Sequence, residues 1–128
     1  NTAPYLQYAW TRIRSIFVML ETGRTAPDGW RELARNHLSV RAPEEEKLAK
    51  HLLRFGIVLE AVVEEYRPNY LCNYLFELAG HFTLFYERCP VLRSEDPVRA
   101  SRLALCELTA AVLRQGLAIL GIETSERM

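Results

Sequence analysis

The sequence predicts an all-α fold, a helical bundle of about five helices that form one domain. Apolar residues recur at steps of three and four along several long segments, as they do on one face of a helix. Pro and Gly residues stand at the ends of those segments, and no segment alternates apolar and polar residues like a strand. With 128 residues, of which 49% are hydrophobic and 25% charged, the chain has the length and composition of a single globular domain.

The first predicted helix begins near Pro4 and ends at Gly23. Its apolar residues form one stripe, which is typical of an amphipathic helix that packs against a core; they are Leu6, Ala9, Trp10, Ile13, Ile16, Phe17 and Leu20. The sequence Pro27-Asp28-Gly29 predicts a turn. We therefore interpret residues 24–42 as a long connection, in which Trp30 to Leu38 add a short helix.

The next helix begins at Pro43, because the acidic run Glu44-Glu45-Glu46 favours the positive N-terminal end of a helix. We expect this helix to run to about Phe55 and Gly56 to break it, and we expect Ile57–Tyr66 to form a further short helix. Adjacent helical residues do not face each other. The glutamate run is therefore interpreted as a solvated face and not as a pair of catalytic carboxylates.

Two long helices complete the predicted bundle. Pro68 marks the start of the first and Pro90 its end, and its apolar face consists of Leu71, Leu75, Leu78, Ala79, Phe82, Phe85 and Tyr86. Pro97 starts the final helix, which is apolar on nearly all sides. Such a helix is usually buried at the centre of a bundle, so we expect this helix, with Leu105 and Leu108, to be the most buried.

The reactive side chains indicate no catalytic residue, metal or cofactor in these 128 residues. Cys72, Cys89 and Cys106 are spaced by seventeen residues, which matches no zinc or redox motif, so we expect free thiols. The three histidines stand in separate segments without the spacing of metal ligands. The sequence also contains no glycine-rich phosphate loop and no serine-hydrolase motif.

The charge balance restricts the partners that we expect. Sixteen basic residues cancel sixteen acidic residues, which argues against a protein that coats DNA non-specifically. We therefore expect no DNA partner. The apolar runs are too short to span a bilayer, so we expect no membrane-spanning helix. We also expect a cytoplasmic location. The sequence begins without Met inside a helical pattern, which suggests a fragment of a longer protein.

Aromatic residues beside the predicted core offer a binding surface. When the first helix is projected at about 100° per residue, Tyr5, Tyr8 and Arg12 fall on one margin of its apolar stripe. Tyr74 lies beside the core face of the helix that starts at Pro68. Aromatic rings and Arg side chains bind unstacked bases. Any single one of these side chains would more usually just pack at the core boundary, and both interpretations stay open at this point.

Three blocks of the sequence resemble the C-terminal anticodon-binding domain of arginyl-tRNA synthetases. They are NTAPYLQYAWTRIRSI from Asn1, PNYLCNYLFELAGHFTLFYERCPVL from Pro68, and ASRLALCELTAAVLRQGLAILGIETSERM at the C-terminus. The resemblance implies a helical bundle of the class Ia anticodon-binding type, formed by residues 1–128 after a class I catalytic domain. The whole enzyme would join arginine to its tRNA using ATP, with Mg²⁺ expected. The motifs that hold ATP in this family are missing here, so residues 1–128 should be inactive alone.

The resemblance also implies which residues contact RNA. Tyr5 and Tyr8 match tyrosines of the first block, Tyr74 matches the tyrosine of the Asn-Tyr-Leu motif, and Met128 matches the C-terminal Met of the family. These residues would line the anticodon pocket, and Arg12, one helical turn from Tyr8, would hold a phosphate. The implied partners are the anticodon stem-loop of an arginine tRNA and the catalytic domain in cis, and a monomer is expected.

The genetic code adds a constraint to this resemblance. Every arginine codon has G in the middle, so every matching anticodon has C there, and one pocket for a central cytosine would serve all arginine tRNAs. Cytosine has one donor, N4, and two acceptors, N3 and O2. Backbone groups near Met128, with a tyrosine beneath the ring, could satisfy all three.

Two alternatives of different kinds remain beside the main hypothesis. The first is the equivalent domain of a cysteinyl-tRNA synthetase or of the glycyl-tRNA synthetase β-subunit, and the Met-terminated tail argues against both. The second is a helical protein-interaction bundle, because Tyr and Arg side chains also form the hot spots of protein interfaces. Trp10 departs from the family, which usually has His there, so the packing around this position is not implied by the resemblance.

Overall fold

The structure, a computed structural model, describes residues 2–23 and 29–121, with side chains for residues 4–20 and 29–121. The described residues form six helices and no strand. The helices are α1 (Thr2–Gly23), α2 (Trp30–Asn36), α3 (Pro43–Leu53), α4 (Phe55–Glu65), α5 (Pro68–Arg88) and α6 (Val98–Ile119). The predicted all-α bundle is confirmed, and the short helix predicted from Trp30 is α2.

The boundary between α3 and α4 differs from the prediction. The sequence predicts a break at Gly56, but α4 begins at Phe55 and includes the glycine in its first turn. The break lies at Arg54, whose N–H donates to the His51 carbonyl at 3.1 Å, three residues back. A bond of this spacing tightens the last turn of a helix. The chain therefore leaves α3 through a tight turn that needs no glycine.

The core lies where α1, α5 and α6 meet, with α3 packed against α5. The predicted stripe on α1 is confirmed, since Leu6, Ile13 and Ile16 are buried. A small residue lets α5 and α6 pack closely: a Cβ atom at Gly116 would lie 2.7 Å from the Leu75 methyl carbons. Glycine is therefore required there for packing and not for its backbone freedom.

The two leucines chosen in the final helix have different environments. Leu105 is buried, whereas Leu108 is 49% exposed. The expectation that Leu108 lies deep in the core is wrong, because α1 and α2 cover two sides of α6 and leave a groove between them at Leu108. Among the described helices α6 still has the most buried residues, so its predicted central position is confirmed.

Glu45 is part of a buried ionic network and not of a solvated face. Its carboxylate accepts the N–H of Ala42 at 2.8 Å and that of Arg41 at 3.3 Å, as a glutamate in a capping box does. It also forms an ion pair of 3.2 Å with Arg102 of α6, which donates to the Pro90 carbonyl at 2.8 Å. The start of α3, the α5–α6 connection and α6 are thereby joined.

Helices α1 and α6 run antiparallel. Towards the C-terminal end of α1, Phe17 packs on Trp30, and α2 is in turn ion-paired to Glu107 of α6. Towards its N-terminal end, Trp10 lies under the guanidinium of Arg114, two turns further along α6. The C-terminal end of α6 therefore lies near the N-terminal end of α1.

Candidate RNA-binding site

A guanidinium lies between two tyrosine rings where α1 packs on α5. The Cζ atom of Arg12 is 5.0 Å from the ring centroid of Tyr8 and 5.0 Å from that of Tyr86. Arg12 Nη2 also donates to the Tyr8 hydroxyl at 2.6 Å. Tyr8 is 58% exposed and Tyr86 38% exposed, so this Tyr8–Arg12–Tyr86 cluster is open to solvent.

Tyr5 continues the aromatic surface towards the start of α1. Its ring contacts that of Phe76 on α5, with centroids 5.2 Å apart. Both rings are partly exposed. The prediction that Tyr5, Tyr8 and Arg12 share one margin of the first helix is confirmed as geometry, and their contact with RNA stays a prediction.

The cluster has the chemistry for holding an unpaired base. Tyrosine rings stack on bases of any sequence because every base has a π-face. The guanidinium of Arg12 is planar, always charged and rich in N–H donors. Since it is held between the rings of Tyr8 and Tyr86, its donors lie beside the surfaces on which a base would stack.

Tyr74 lies in the core and not on the surface. Its side chain is 2% exposed, and its ring stacks on the imidazole of His51 with centroids 4.2 Å apart. Its hydroxyl donates to the His51 carbonyl at 2.6 Å, and burial raises the pKa of Tyr74 to about 12. The prediction that Tyr74 lies beneath an anticodon base is therefore corrected: α3 covers this side of α5, and Tyr74 joins the two helices.

His51 completes this buried pair from α3. Its Nε2 atom is 2.9 Å from the Tyr74 carbonyl, so each side chain bonds to the backbone of the other residue. Burial lowers the pKa of His51, because the charged imidazolium loses hydration. The pair is a structural link between α3 and α5, and it carries no exposed chemistry.

The sequence profile of the DALR anticodon binding domain matches residues 6–128 of the chain. The chain belongs to this family. A resemblance to arginyl-tRNA synthetases is thereby confirmed, and the comparisons support it over the cysteinyl-tRNA and glycyl-tRNA synthetase alternatives and over a general protein-interaction bundle.

The relatives of this DALR domain are arginine–tRNA ligases. It is 49% identical over 128 residues to the arginine–tRNA ligase of Mannheimia succiniciproducens, covering 100% of this chain and 21% of the relative. It is 47% identical over 129 residues to that of Pseudomonas fluorescens, again covering 100% of this chain and 21% of the relative. The chain thus spans about a fifth of the length of these curated relatives.

Solved structures give the same result for the fold. Thermus thermophilus arginyl-tRNA synthetase matches with a TM-score of 0.79 at 34% identity, over 98% of this chain and 21% of that chain. Plasmodium falciparum arginyl-tRNA synthetase matches with a TM-score of 0.79 at 28% identity, over 97% of this chain and 21% of that chain. The class of helical bundle implied by the sequence is confirmed.

Tyr86 of the DALR domain is a surface residue that the sequence pattern does not reveal. The apolar stripe of α5 places it on the core face, yet its ring reaches the surface beside Arg12. A tyrosine at the end of an apolar stripe has an apolar body and a polar tip, and such residues are common at core boundaries. The sequence signal for this surface was the Tyr8–Arg12 pair on α1, whose two residues are one helical turn apart and whose Arg12 contacts Tyr86.

The remaining predictions for the site concern Met128, metals and thiols. Met128 lies outside the described residues. Across residues 2–23 and 29–121, no group of three or more His, Cys, Asp or Glu residues is placed to hold a metal ion. The three cysteines are unpaired, and burial raises the pKa of Cys106.

In the part of the chain that the structure describes, no helix is both long and apolar enough to cross a bilayer.

Proposed function

We propose that this domain is the tRNA-binding module of an arginine–tRNA ligase, the enzyme that attaches arginine to its tRNA using ATP. The Tyr8–Arg12–Tyr86 cluster, extended by Tyr5, binds the anticodon stem-loop. The observation that carries this proposal is the position of Arg12 between two solvent-exposed tyrosine rings. Membership of the DALR family and the arginine–tRNA ligase relatives support it.

The cluster suits a central cytosine. A tyrosine ring contributes about 1–3 kcal/mol when a base stacks on it. The O2 and N3 atoms of cytosine accept hydrogen bonds, and Arg12, whose Cζ atom lies 5.0 Å from the ring centroids of both Tyr8 and Tyr86, supplies N–H donors beside these rings. In this arrangement Arg12 contacts the base, whereas the sequence-based expectation gives it a phosphate.

The rest of the proposed enzyme supplies the reaction. Relatives of about five times this length carry the ligase name, and in the proposed enzyme a class I catalytic domain in cis binds ATP, with Mg²⁺ expected. Residues 1–128 form one anticodon-binding domain that lacks the ATP-binding motifs of the catalytic domain. The proposed location is the cytoplasm and the proposed state is a monomer, and Met128 is proposed to close the cytosine pocket.

Binding of two RNA hairpins tests this function. One is the anticodon stem-loop of an arginine tRNA, and the other is identical except that uracil replaces the central cytosine. Fluorescence anisotropy should show tighter binding of the cytosine hairpin, by about 1–3 kcal/mol. Equal affinity for the two hairpins would mean that the domain does not read the central base.

A further inference from the structure

One aromatic cluster fastens the end of α3 and the start of α4 to α5. The imidazole of His51, in the last turn of α3, stacks on the ring of Tyr74 with centroids 4.2 Å apart. Phe55, the first residue of α4, also stacks on Tyr74, with centroids 5.7 Å apart, and it carries no charge. Tyr74 is therefore the residue of α5 to which both helices are anchored.

The chain from His51 to the end of α4 has few other anchors. Within residues 51–66 the buried side chains are those of His51 and Leu52, and α4 is the one described helix without a buried residue. It ends at Tyr66, whose φ of 54° lies in the left-handed region that bulky side chains avoid. A segment with few buried apolar contacts opens at a lower free energy than the core does. Residues 51–66 are thus built to open before the rest of the bundle.

The first turn of α3 is held separately. Glu45 is ion-paired to Arg102 of α6 at 3.2 Å, and Glu44 is ion-paired to Arg88 of α5 at 3.3 Å. Both carboxylates precede His51 by more than one helical turn. The end of α3 can therefore leave α5 while its first turn stays in place.

A second histidine lies beside the first. The ring of His81, on α5 and two turns after Tyr74, has its centroid 4.9 Å from that of His51. Histidine is the side chain that ordinarily gains a proton between pH 5 and pH 8. Two protonated rings at this separation would repel each other, so protonation of both would drive α3 away from α5.

The surroundings of His51 disfavour its protonation while the helices are in contact. Burial lowers the pKa of His51, and the positive charges of His81 and Arg54 lower it further. The Tyr74 carbonyl, which lies 2.9 Å from Nε2, and the Glu77 carboxylate act in the opposite direction without reversing the shift. The protonated ring therefore gains hydration when it leaves Tyr74.

We propose that residues 51–66, the last turn of α3 with α4, form an acid-opened lid on α5, and that the stacked rings of His51 and Tyr74, with His81 beside them, are its latch. Above the usual histidine pKa of about 6.5 the neutral latch is fully effective. Below it the open form binds more protons than the closed form, so the closed form loses stability as the pH falls. Opening uncovers Tyr74 and the face of α5 around it.

The lid and the RNA-binding cluster lie on different sides of α5. At about 100° per residue, Tyr74 and His81 share one side of this helix, whereas Phe76 and Tyr86 point away from it towards α1. Acid opening therefore leaves the Tyr8–Arg12–Tyr86 cluster assembled, and the lid does not depend on the proposed RNA function.

Hydrogen exchange followed by mass spectrometry at pH 7.5 and pH 5.5 tests the lid, after correction for the intrinsic effect of pH on exchange. The opening equilibrium of peptides within residues 51–66 should rise by up to about tenfold at pH 5.5. This is the factor by which one histidine with a pKa of about 6.5 favours the open form over that interval. At both pH values these peptides should be at least about tenfold less protected than peptides of α6. Protection equal to that of α6, or no change with pH, would overturn the lid.

Three variants identify the latch, each first shown by circular dichroism to be folded at pH 7.5. His51→Gln should reduce the acid-induced rise in residues 51–66 to less than about twofold, because the titrating ring is gone. His37→Gln is the matched control and should retain the full rise, because His37 is exposed at the end of α2. His81→Gln should give a smaller rise than wild type, because it removes a cation beside His51. A full rise in His51→Gln, or one in His81→Gln, would show that the two histidines do not form the latch.

Discussion

Replacing Tyr74 with Phe removes one buried hydroxyl and leaves the ring in place. That hydroxyl donates to the His51 carbonyl at 2.6 Å. The carbonyl keeps a second partner, the N–H of Arg54 at 3.1 Å, so the substitution leaves no buried acceptor without a bond. The expected loss is therefore that of one hydrogen bond, about 1 kcal/mol of the free energy of unfolding, and not the larger cost of an unsatisfied group. The stem-loop affinity of the folded protein should not change.

Urea unfolding followed by circular dichroism gives the stability, and fluorescence anisotropy well below the unfolding midpoint gives the stem-loop affinity. Tyr8→Ala is the matched comparison, because Tyr8 is 58% exposed: it should change stability by less than about 0.5 kcal/mol and weaken binding by about 1–3 kcal/mol. Tyr8→Phe should retain most of the affinity, because its ring survives. If Tyr74→Phe weakens binding while Tyr8→Ala binds like wild type, the roles assigned to the two tyrosines are reversed.

Three further predictions follow from other contacts. Arg12→Ala should reduce the preference for cytosine with little change in the salt dependence; a slope flatter by about one charge would indicate a phosphate contact instead. Leu105→Ala should lower the free energy of unfolding by about 2–5 kcal/mol and Leu108→Ala by less than about 1 kcal/mol, and equal losses in urea would contradict the described groove. Because burial lowers the pKa of His51 below its usual 6.5, the unfolded chain binds more protons there, so stability should fall as the pH drops below about 6.5. His51→Gln should weaken this pH dependence. If urea unfolding of His51→Gln shows the same pH dependence of stability as wild type, the role assigned to His51 is wrong.

The sequence predicts the faces of the helices well and their neighbours poorly. The stripe on α1 depends only on a 3.6-residue period, so the burial of Leu6 and Ile13 could be read directly. The same projection places Tyr8 and Tyr74 alike at a margin. Their environments differ because α3 covers Tyr74 and no described helix covers Tyr8 in this way, and helical periodicity contains no information on which helix packs where.

Contacts between distant parts of the chain explain the other differences. Glu45 stands in an acidic run that looks solvated, and its ion-pair partner Arg102 follows 57 residues later. Tyr86 belongs to the apolar stripe of α5, and it becomes part of a surface cluster only because α1 packs on α5 and brings Arg12 into contact with its ring. Local pattern determines the elements, whereas these pairs depend on tertiary packing that a single sequence does not specify.

The position of Arg12 between two rings has a consequence for the kinetics of recognition. An arginine side chain has about 2 kcal/mol of rotamer entropy to lose when it becomes fixed, and the rings of Tyr8 and Tyr86 already restrict this one in the protein itself. Little further ordering is then needed when a base arrives, which is the general advantage of a preorganised site. Since related complexes differ mainly in how fast they dissociate, a cytosine and a uracil hairpin should associate with this domain at similar rates and separate from it at different ones.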